Sequence, residues 1–169
     1  IDGIYIGGGF PELFAERLMK NESMRSSIVE AYKQGAVIYG ECGGMMYLLE
    51  KLIDCDGRSF KMSSVHNGTS KMEKRRQGLG YVIVDVICDT VISRKGDTFR
   101  AHEFHWSGLQ DIPESTFFAY NTMKSNGKRT GVDGICKGNI LASYTHIHFS
   151  SNPALAKNML SSMAERVQI

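Results

Sequence analysis

Short apolar runs that end in glycine alternate with helical patterns over the first fifty residues. The runs "DGIYIGGG" (2–9) and "AVIYG" (36–40) are rich in β-branched and aromatic residues, which favour strands. Pro11 opens the segment "PELFAERLMK" and suits the first turn of a helix, and "GMMYLLEKL" (44–52) has a second helical pattern. Strands that alternate with helices in this way predict parallel pairing with helices covering the sheet, which is an α/β fold.

Two further helices are predicted from their end signals. Asn21 is predicted to cap a helix that runs to about Gln34, and Gly35 would end it. Asn152 similarly caps a last helix from Pro153 to about Val167, which carries apolar residues along one face. Both helices are amphipathic, so we expect each to cover a sheet.

The second half of the chain has a different pattern. The segment 80–107 alternates apolar and polar residues between turn signals, as antiparallel strands do. Three later segments continue the alternation: "TFFAYNTMK", "VDGICKG" and "NILASYTHIHF". Linkers, internal repeats and low-complexity tracts are absent from the sequence. We therefore predict one domain, residues 1–169, built on a mixed sheet.

Composition excludes several classes of function. The 169 residues are 42% hydrophobic, which suffices for a single core. Twenty basic and eighteen acidic residues give a net charge of +2, too balanced for nucleic acid or an anionic membrane to be the main partner. No apolar run approaches the ~18 residues needed to cross a bilayer, and no signal peptide is recognisable. We expect a cytoplasmic protein.

Among the four cysteines, Cys42 has a distinctive setting. The cysteines are scattered without CxxC spacing, so neither a disulfide framework nor a metal site is predicted. Cys42 lies in "GECGG", between a strand and a helix, as the nucleophile does in a G-x-nucleophile-x-G elbow. A helix N-terminus favours a thiolate, and the N–H of Gly43 would face an oxyanion. The alternative is a small buried cysteine in an ordinary turn.

A cysteine nucleophile requires a base, which is usually histidine. In "SYTHIHF", His146 and His148 lie two apart on a predicted strand and would share one face, so one could act as base and the other could orient it. A pair of half-buried strand histidines is the alternative. In "AHEFHWS", His102 and His105 would face opposite sides of a strand, which argues against a shared metal.

The glycine loop "IGGGFPE" (6–12) resembles an anion cradle but matches neither common nucleotide-binding motif. Because it ends at the same sheet edge as Cys42, Gly8 and Gly9 could donate their N–H groups to the oxyanion. A tight turn without function is the alternative. His102 with Glu103 could contact a polar substrate or a partner domain.

Five blocks taken together carry a family resemblance: "DGIYIGGGFPELF", "YGECGGMMYL", "GLGYV", "RAHEFHWS" and "ASYTHIHF". In this order and spacing, the chain resembles the class I glutamine amidotransferase domain of the cobyrinic acid a,c-diamide synthase family. The resemblance implies a three-layer, flavodoxin-like α/β fold with a mixed, mainly parallel central sheet. It also implies that Cys42 attacks glutamine and that His146 activates it. Many relatives outside the family have a glutamate two places after the histidine, where this chain has His148, which suggests a dyad.

The resemblance also implies a larger enzyme. Family members use ATP and Mg in an N-terminal domain with a P-loop, a motif that these residues lack, so no cofactor is expected here. The chain begins with a strand and without methionine, and we expect it to be a C-terminal fragment missing its first strand or strands. An unpaired sheet edge would then favour dimerisation.

The implied function is hydrolysis of glutamine to supply ammonia for amidation of a corrin precursor. Alternatives are a catalytically silent binding or interface module, another cysteine hydrolase, or action on hydrogenobyrinic acid or nickel sirohydrochlorin.

Overall fold

The computed structural model describes residues 1–166, so the predicted helix end at Val167 lies outside the described residues. Two sheets and four α-helices make up the fold of this part of the chain. The strands are β1 Gly3–Ile6, β2 Val37–Glu41, β3 Lys51–Ile53, β4 Ser59–Lys61, β5 Thr69–Met72, β6 Gly78–Val86, β7 Thr98–His105, β8 Ser107–Gln110, β9 Phe117–Met123, β10 Arg129–Lys137 and β11 Ile140–Ser143. The helices are α1 Ala15–Lys20, α2 Glu22–Lys33, α3 Gly43–Leu48 and α4 Pro153–Arg166, and a 3-10 turn covers Pro11–Phe14.

The larger sheet has the strand order β1-β2-β11-β10-β9-β6-β7. β2 pairs in parallel with both β1 and β11, whereas the other four pairings of this sheet, as far as the structure describes it, are antiparallel. The sheet is therefore mixed as predicted, but the expectation that it is mainly parallel is wrong. The physical reason is that hairpins join the strands of the second half, and hairpins pair antiparallel strands.

Both faces of the larger sheet are covered. Along β2, Val37 and Tyr39 pack into one apolar cluster with α4, while Ile38 points to the other face and packs with residues of α2 and α3. Strand side chains alternate between faces, so β2 is buried throughout and lies at the centre of three layers. β1 lies at the edge of the described sheet, so a further strand could pair with it. The strand or strands expected before β1 stay a prediction.

The predicted helix over 44–52 is too long. α3 ends at Leu48, Leu49 is extended, and Lys51–Ile53 form β3 of a second, four-stranded sheet, β4-β3-β5-β8. Leu49 and Leu52 are fully buried, so tertiary burial rather than helical periodicity sets the conformation there. The predicted cap at the start of α2 is confirmed, since the Asn21 side chain accepts a hydrogen bond from the Met24 N–H at 3.2 Å.

The larger sheet curls at its far end. β7 forms both backbone hydrogen bonds of an antiparallel bridge from His102 to His146, although His146 follows β11, which is four positions from β7 in the strand order. This bridge brings the β6–β7 hairpin back over the carboxyl end of β2, where Cys42 lies. Among residues 1–166, no helix is both long and apolar enough to span a bilayer.

Candidate active site

Cys42 occupies a strained corner between β2 and α3. Its backbone has φ 49° and ψ −101°, a conformation that costs a non-glycine residue on the order of 1–3 kcal/mol. Its N–H donates to the carbonyl of Ser143 at 2.7 Å, which ties the corner to the end of β11. The corner has the form of a nucleophile elbow, as the "GECGG" pattern predicts.

Glycines let the glycine loop approach this corner. A Cβ on Gly43 would lie 2.6 Å from the carbonyl oxygen and 2.8 Å from the nitrogen of Gly9, and a Cβ on Gly44 would collide with the carbonyl of Ile6. The backbone of the loop after β1 therefore packs directly against the first turn of α3. The first amides of a helix have no acceptor within it, so this junction concentrates potential donors beside Cys42.

His146 lies against both Cys42 and the glycine loop. The Cys42 side chain is close enough to raise the pKa of the imidazole, and a Cβ on Gly8 would lie 2.5 Å from the imidazole Cε1. Nδ1 of His146 lies 3.1 Å from Oε1 of Glu41. The Cys42 hydrogen bond and then the Glu41 hydrogen bond raise the pKa of His146 to about 10, against the opposing effect of partial burial.

Glu41 is the site residue that the sequence reasoning missed. Its carboxylate is buried, and its Oε2 accepts hydrogen bonds from the Tyr39 hydroxyl at 2.9 Å and from the Ile147 N–H at 3.1 Å. The signal was a single carboxylate at the end of the apolar run "AVIYGE", next to the proposed nucleophile. A buried carboxylate requires partners, so a functional or positioning role could have been suspected.

Asp133 is a second buried carboxylate that shapes the site. It accepts hydrogen bonds from the backbone N–H groups of Tyr144 and Thr145 at 3.0 and 2.9 Å. These two residues lead from β11 to His146, so Asp133 fixes the path of the chain to the imidazole. Burial raises the pKa of Asp133, and the backbone hydrogen bonds oppose that rise.

The other predicted supporting residues have different positions. β11 ends at Ser143, so His146 and His148 do not lie on one strand as predicted. His148 is exposed, and the partner of His146 Nδ1 is Glu41 instead. The ring centroid of His102 lies 6.5 Å from that of His146, while Glu103 is half-buried and burial raises its pKa.

His105 closes one side of the Cys42 site. Its ring stacks on Tyr144 with a centroid distance of 3.8 Å, and its Nδ1 lies 2.8 Å from the carbonyl oxygen of Ser107. Burial lowers its pKa and so favours the neutral imidazole. The described residues contain no group of three or more His, Cys, Asp or Glu side chains arranged to hold a metal ion.

The cavity at Cys42 is small. Its volume is about 20 Å³, and its lining includes Gly9, Phe10, Phe104, His105 and Trp106. A cavity of that size holds about one water molecule. Cys42 itself is 6% exposed, and its Sγ lies 3.8 Å from the carbonyl oxygen of Phe104. The thiol therefore faces a narrow opening.

Known structures share this fold. A crystal structure of a glutamine amidotransferase matches with a TM-score of 0.69 and 13% identity, over 97% of this chain and 80% of that one. The structure of PurLQS from Thermotoga maritima matches with a TM-score of 0.62 and 18% identity, over 96% of this chain and 79% of that one. Such identities establish the fold alone, and that fold is the predicted class I glutamine amidotransferase fold.

Sequence comparison identifies the family. Residues 1–154 match the CobB/CobQ-like glutamine amidotransferase domain, and the chain belongs to this family. A cobyrinate a,c-diamide synthase of Listeria innocua is 46% identical over 164 residues, which cover 94% of this chain and 35% of that protein. The synthase of Methanothermobacter thermautotrophicus is 43% identical over 158 residues, covering 94% and 34%. The chain thus spans about a third of the length of these relatives.

Proposed function

We propose that this domain hydrolyses glutamine and supplies ammonia for the amidation of a tetrapyrrole carboxylate, as part of a cobyrinate a,c-diamide synthase. The observation that carries the proposal is the meeting of Cys42, His146 and the glycine loop at one strained elbow. The names of the relatives support cobyrinate as the acceptor, ahead of hydrogenobyrinic acid or nickel sirohydrochlorin.

The proposed chemistry begins with attack of the Cys42 sulfur on the side-chain amide carbon of glutamine. The N–H groups of Gly43 and of the Gly8–Gly9 loop would donate to the resulting oxyanion. His146, with its raised pKa, holds the proton that the departing amine requires to leave as ammonia. The neutral imidazole then takes a proton from water, which attacks the thioester carbon and releases glutamate and the cysteine.

Glu41 fits the role of the third member of this set. It contacts the Nδ1 side of His146 and so would orient the ring and stabilise its charged form, as the acidic member of a catalytic triad does. A triad of Cys42, His146 and Glu41 replaces the expected dyad. The residue two places after His146 would then be unnecessary as a support, which agrees with the exposure of His148.

The wider assembly is also a proposal. ATP and Mg would act in a separate domain, because this sequence has no P-loop. The four cysteines are free in the structure, which fits a cytoplasmic location. We also propose a homodimer through β1, because this strand lies at the edge of the described sheet.

Replacing Cys42 by alanine tests the function. In the full-length enzyme, we expect Cys42→Ala to abolish glutamine-dependent amidation and to spare amidation from added ammonia. The reason is that only the first reaction uses the thiol. Product formation with each nitrogen source is the measurement. Equal loss with both sources would show that the substitution damages the acceptor domain instead.

The narrow opening at Cys42 favours one other candidate, a silent interface module of the same fold. Glutamine is larger than a cavity of about 20 Å³, so access to the thiol separates the two functions. Labelling by diazo-oxo-norleucine separates the two functions, because it needs both access and a reactive thiol. Stoichiometric labelling of Cys42 supports the hydrolase. Absence of labelling supports the silent module, and cleavage of peptides or esters would indicate another cysteine hydrolase.

A further inference from the structure

Two thiols outside the candidate active site lie close together. Cys88 follows the end of β6 by two residues, and Cys136 lies on β10. The sulfur of Cys136 is 3.8 Å from the carbonyl oxygen of Asp89, the residue that follows Cys88. β9 separates β6 from β10 in the strand order, so the segment after β6 reaches across the start of β9, where Phe117 pairs with Cys136. The crossing brings Cys88 beside Cys136.

The two thiols share one environment, and each affects the ionisation of the other. Both side chains are half-buried and pack against the same apolar cluster, which includes Val86 and Leu141. Burial and then the nearby Cys88 thiol raise the pKa of Cys136 to about 12. Burial also raises the pKa of Cys88, whereas the Cys136 side chain opposes that rise. Cys88 is therefore the thiol that ionises first.

The segment that carries Cys88 is held in place by hydrogen bonds. The Oδ1 atom of Asp89 accepts from the Lys95 N–H at 2.8 Å. From α4, the side-chain amide of Asn158 donates to the carbonyl of Ile92 at 3.0 Å. A disulfide requires its two Cα atoms to lie close together, so a fixed segment favours cross-linking over separation of the two thiols.

This pair of thiols is remote from the candidate active site. Gly78, at the start of β6, pairs with His105, which lines the cavity at Cys42. β6 has nine residues and so spans roughly 30 Å, and Cys88 follows its other end. Chemistry at the pair is therefore separate from the proposed hydrolysis of glutamine.

We propose that Cys88 and Cys136 form a redox-modification site, which a low-molecular-weight disulfide such as oxidised glutathione converts to an intramolecular disulfide. The Cys88 thiolate attacks one sulfur of that disulfide, and the first glutathione leaves as a thiol. The Cys136 sulfur then attacks the Cys88 sulfur of the mixed disulfide and releases the second glutathione. The two protein thiols lose two electrons and two protons, and the two glutathione molecules gain them.

The reaction is reversible, because excess reduced glutathione runs the same exchange backwards. In a reducing compartment the pair stays in the thiol form, which is the form that the structure shows. Oxidation would tie the loop after β6 to β10 and leave Cys42 as a free thiol.

Mapping of the cysteines after exposure to oxidised glutathione tests the proposal. The unaltered chain is brought to equilibrium without denaturant at about pH 8, since thiols with a raised pKa react slowly at lower pH. Remaining thiols are blocked with N-ethylmaleimide, and non-reduced peptides are identified by mass spectrometry. We expect one linked pair of peptides, joined through Cys88 and Cys136 and separated by added reductant. Absence of that pair, or an equal yield of links through Cys55, would overturn the proposal.

A dithiol probe gives a second measurement. Phenylarsine oxide bridges two neighbouring thiols, and mass spectrometry of the intact chain follows its binding. We expect Cys88→Ser and Cys136→Ser each to weaken binding by about tenfold or more, because a single thiol lacks the effective concentration of its neighbour. Cys55→Ser is the matched control, since it removes an exposed thiol between β3 and β4 and should leave binding unchanged.

Far-UV circular dichroism checks that each variant is folded. Binding as tight in folded Cys88→Ser or Cys136→Ser as in the unaltered chain would contradict the pairing. The peptide mapping uses the unaltered chain, so it decides the proposal even where a serine variant does not fold.

Discussion

Glu41 places a carboxylate at the end of a strand that is buried at every position. Removing a carboxylate from water is costly unless hydrogen bonds compensate it. Here the Tyr39 hydroxyl, the Ile147 N–H and the His146 imidazole supply that compensation. An apolar side chain would fill this position without needing hydrogen bonds. We infer that the carboxylate serves to hold the His146 imidazole beside Cys42.

Neutralising this carboxylate should change the titration of His146. We expect Glu41→Gln to lower the His146 pKa from about 10 by roughly 1 to 3 pH units, because the charge that favours imidazolium is lost. The measurement is the pH titration of the His146 ring proton by NMR, assigned with His146→Gln. The rate of Cys42 alkylation by iodoacetamide over the same pH range gives a second readout.

Tyr39→Phe is the control for this substitution. It removes one hydrogen bond to Glu41 and keeps the carboxylate charge. If Glu41 acts by its charge, the His146 titration in Tyr39→Phe should stay close to that of the unaltered chain. An equal shift in both variants would mean that Glu41 only supports the local packing.

At the scale of elements, the site depends on the contact between α3 and the glycine loop. Gly44 faces the carbonyl of Ile6 with no room for a Cβ. The contact holds the loop after β1 against the first turn of α3, so the spacing of the proposed oxyanion donors is set by two glycines rather than by a side chain.

Filling this contact should therefore separate the two elements. We expect Gly44→Ala to lower the free energy of unfolding by about 1–3 kcal/mol, since the methyl group meets backbone that cannot rotate away. Urea denaturation measures the loss, and diazo-oxo-norleucine labelling of Cys42 should fall with it. Gly108→Ala is the control, because a Cβ there meets open space. Similar losses in both variants would contradict the contact argument.

Element patterns explain which parts of the fold were predictable. The strand–turn–helix corner at Cys42 was predictable from the sequence, because glycines and apolar runs are local signals. β3 was not predictable, because Leu49 and Leu52 continue a helical pattern in the sequence. Burial of these two side chains favours the extended conformation found in the structure. The antiparallel bridge from His102 to His146 also lacks a local signal. That bridge ends the strand-like run before His148, which is why the predicted histidine pair does not form.

For the whole molecule, three histidines make stability depend on pH in opposite ways. Burial is the main cause that lowers the pKa of His66 and His105, whereas hydrogen bonds with Cys42 and Glu41 raise that of His146. An unfolded histidine titrates near about 6.5. The contributions of His66 and His105 are complete above that value and are lost as pH falls through their folded pKa. The contribution of His146 is complete below it and is lost as pH rises toward about 10.

We therefore expect the free energy of unfolding to be greatest between about pH 6.5 and about pH 7, at or just above the ordinary histidine pKa. It should fall at lower and at higher pH. Urea denaturation at a series of pH values measures it. His146→Gln should flatten the alkaline side, where one proton contributes at most about 1.4 kcal/mol per pH unit. Burial raises the pKa of Tyr39, Tyr120 and Tyr144, so their effect begins only near pH ~10. Burial also raises the pKa of Cys88 and Cys136, whose effect begins near pH ~8.5, so the comparison with His146→Gln is made below that value. An alkaline slope that persists unchanged in His146→Gln would show that the imidazolium is not held by Cys42 and Glu41, and the proposed proton donor would be lost with it.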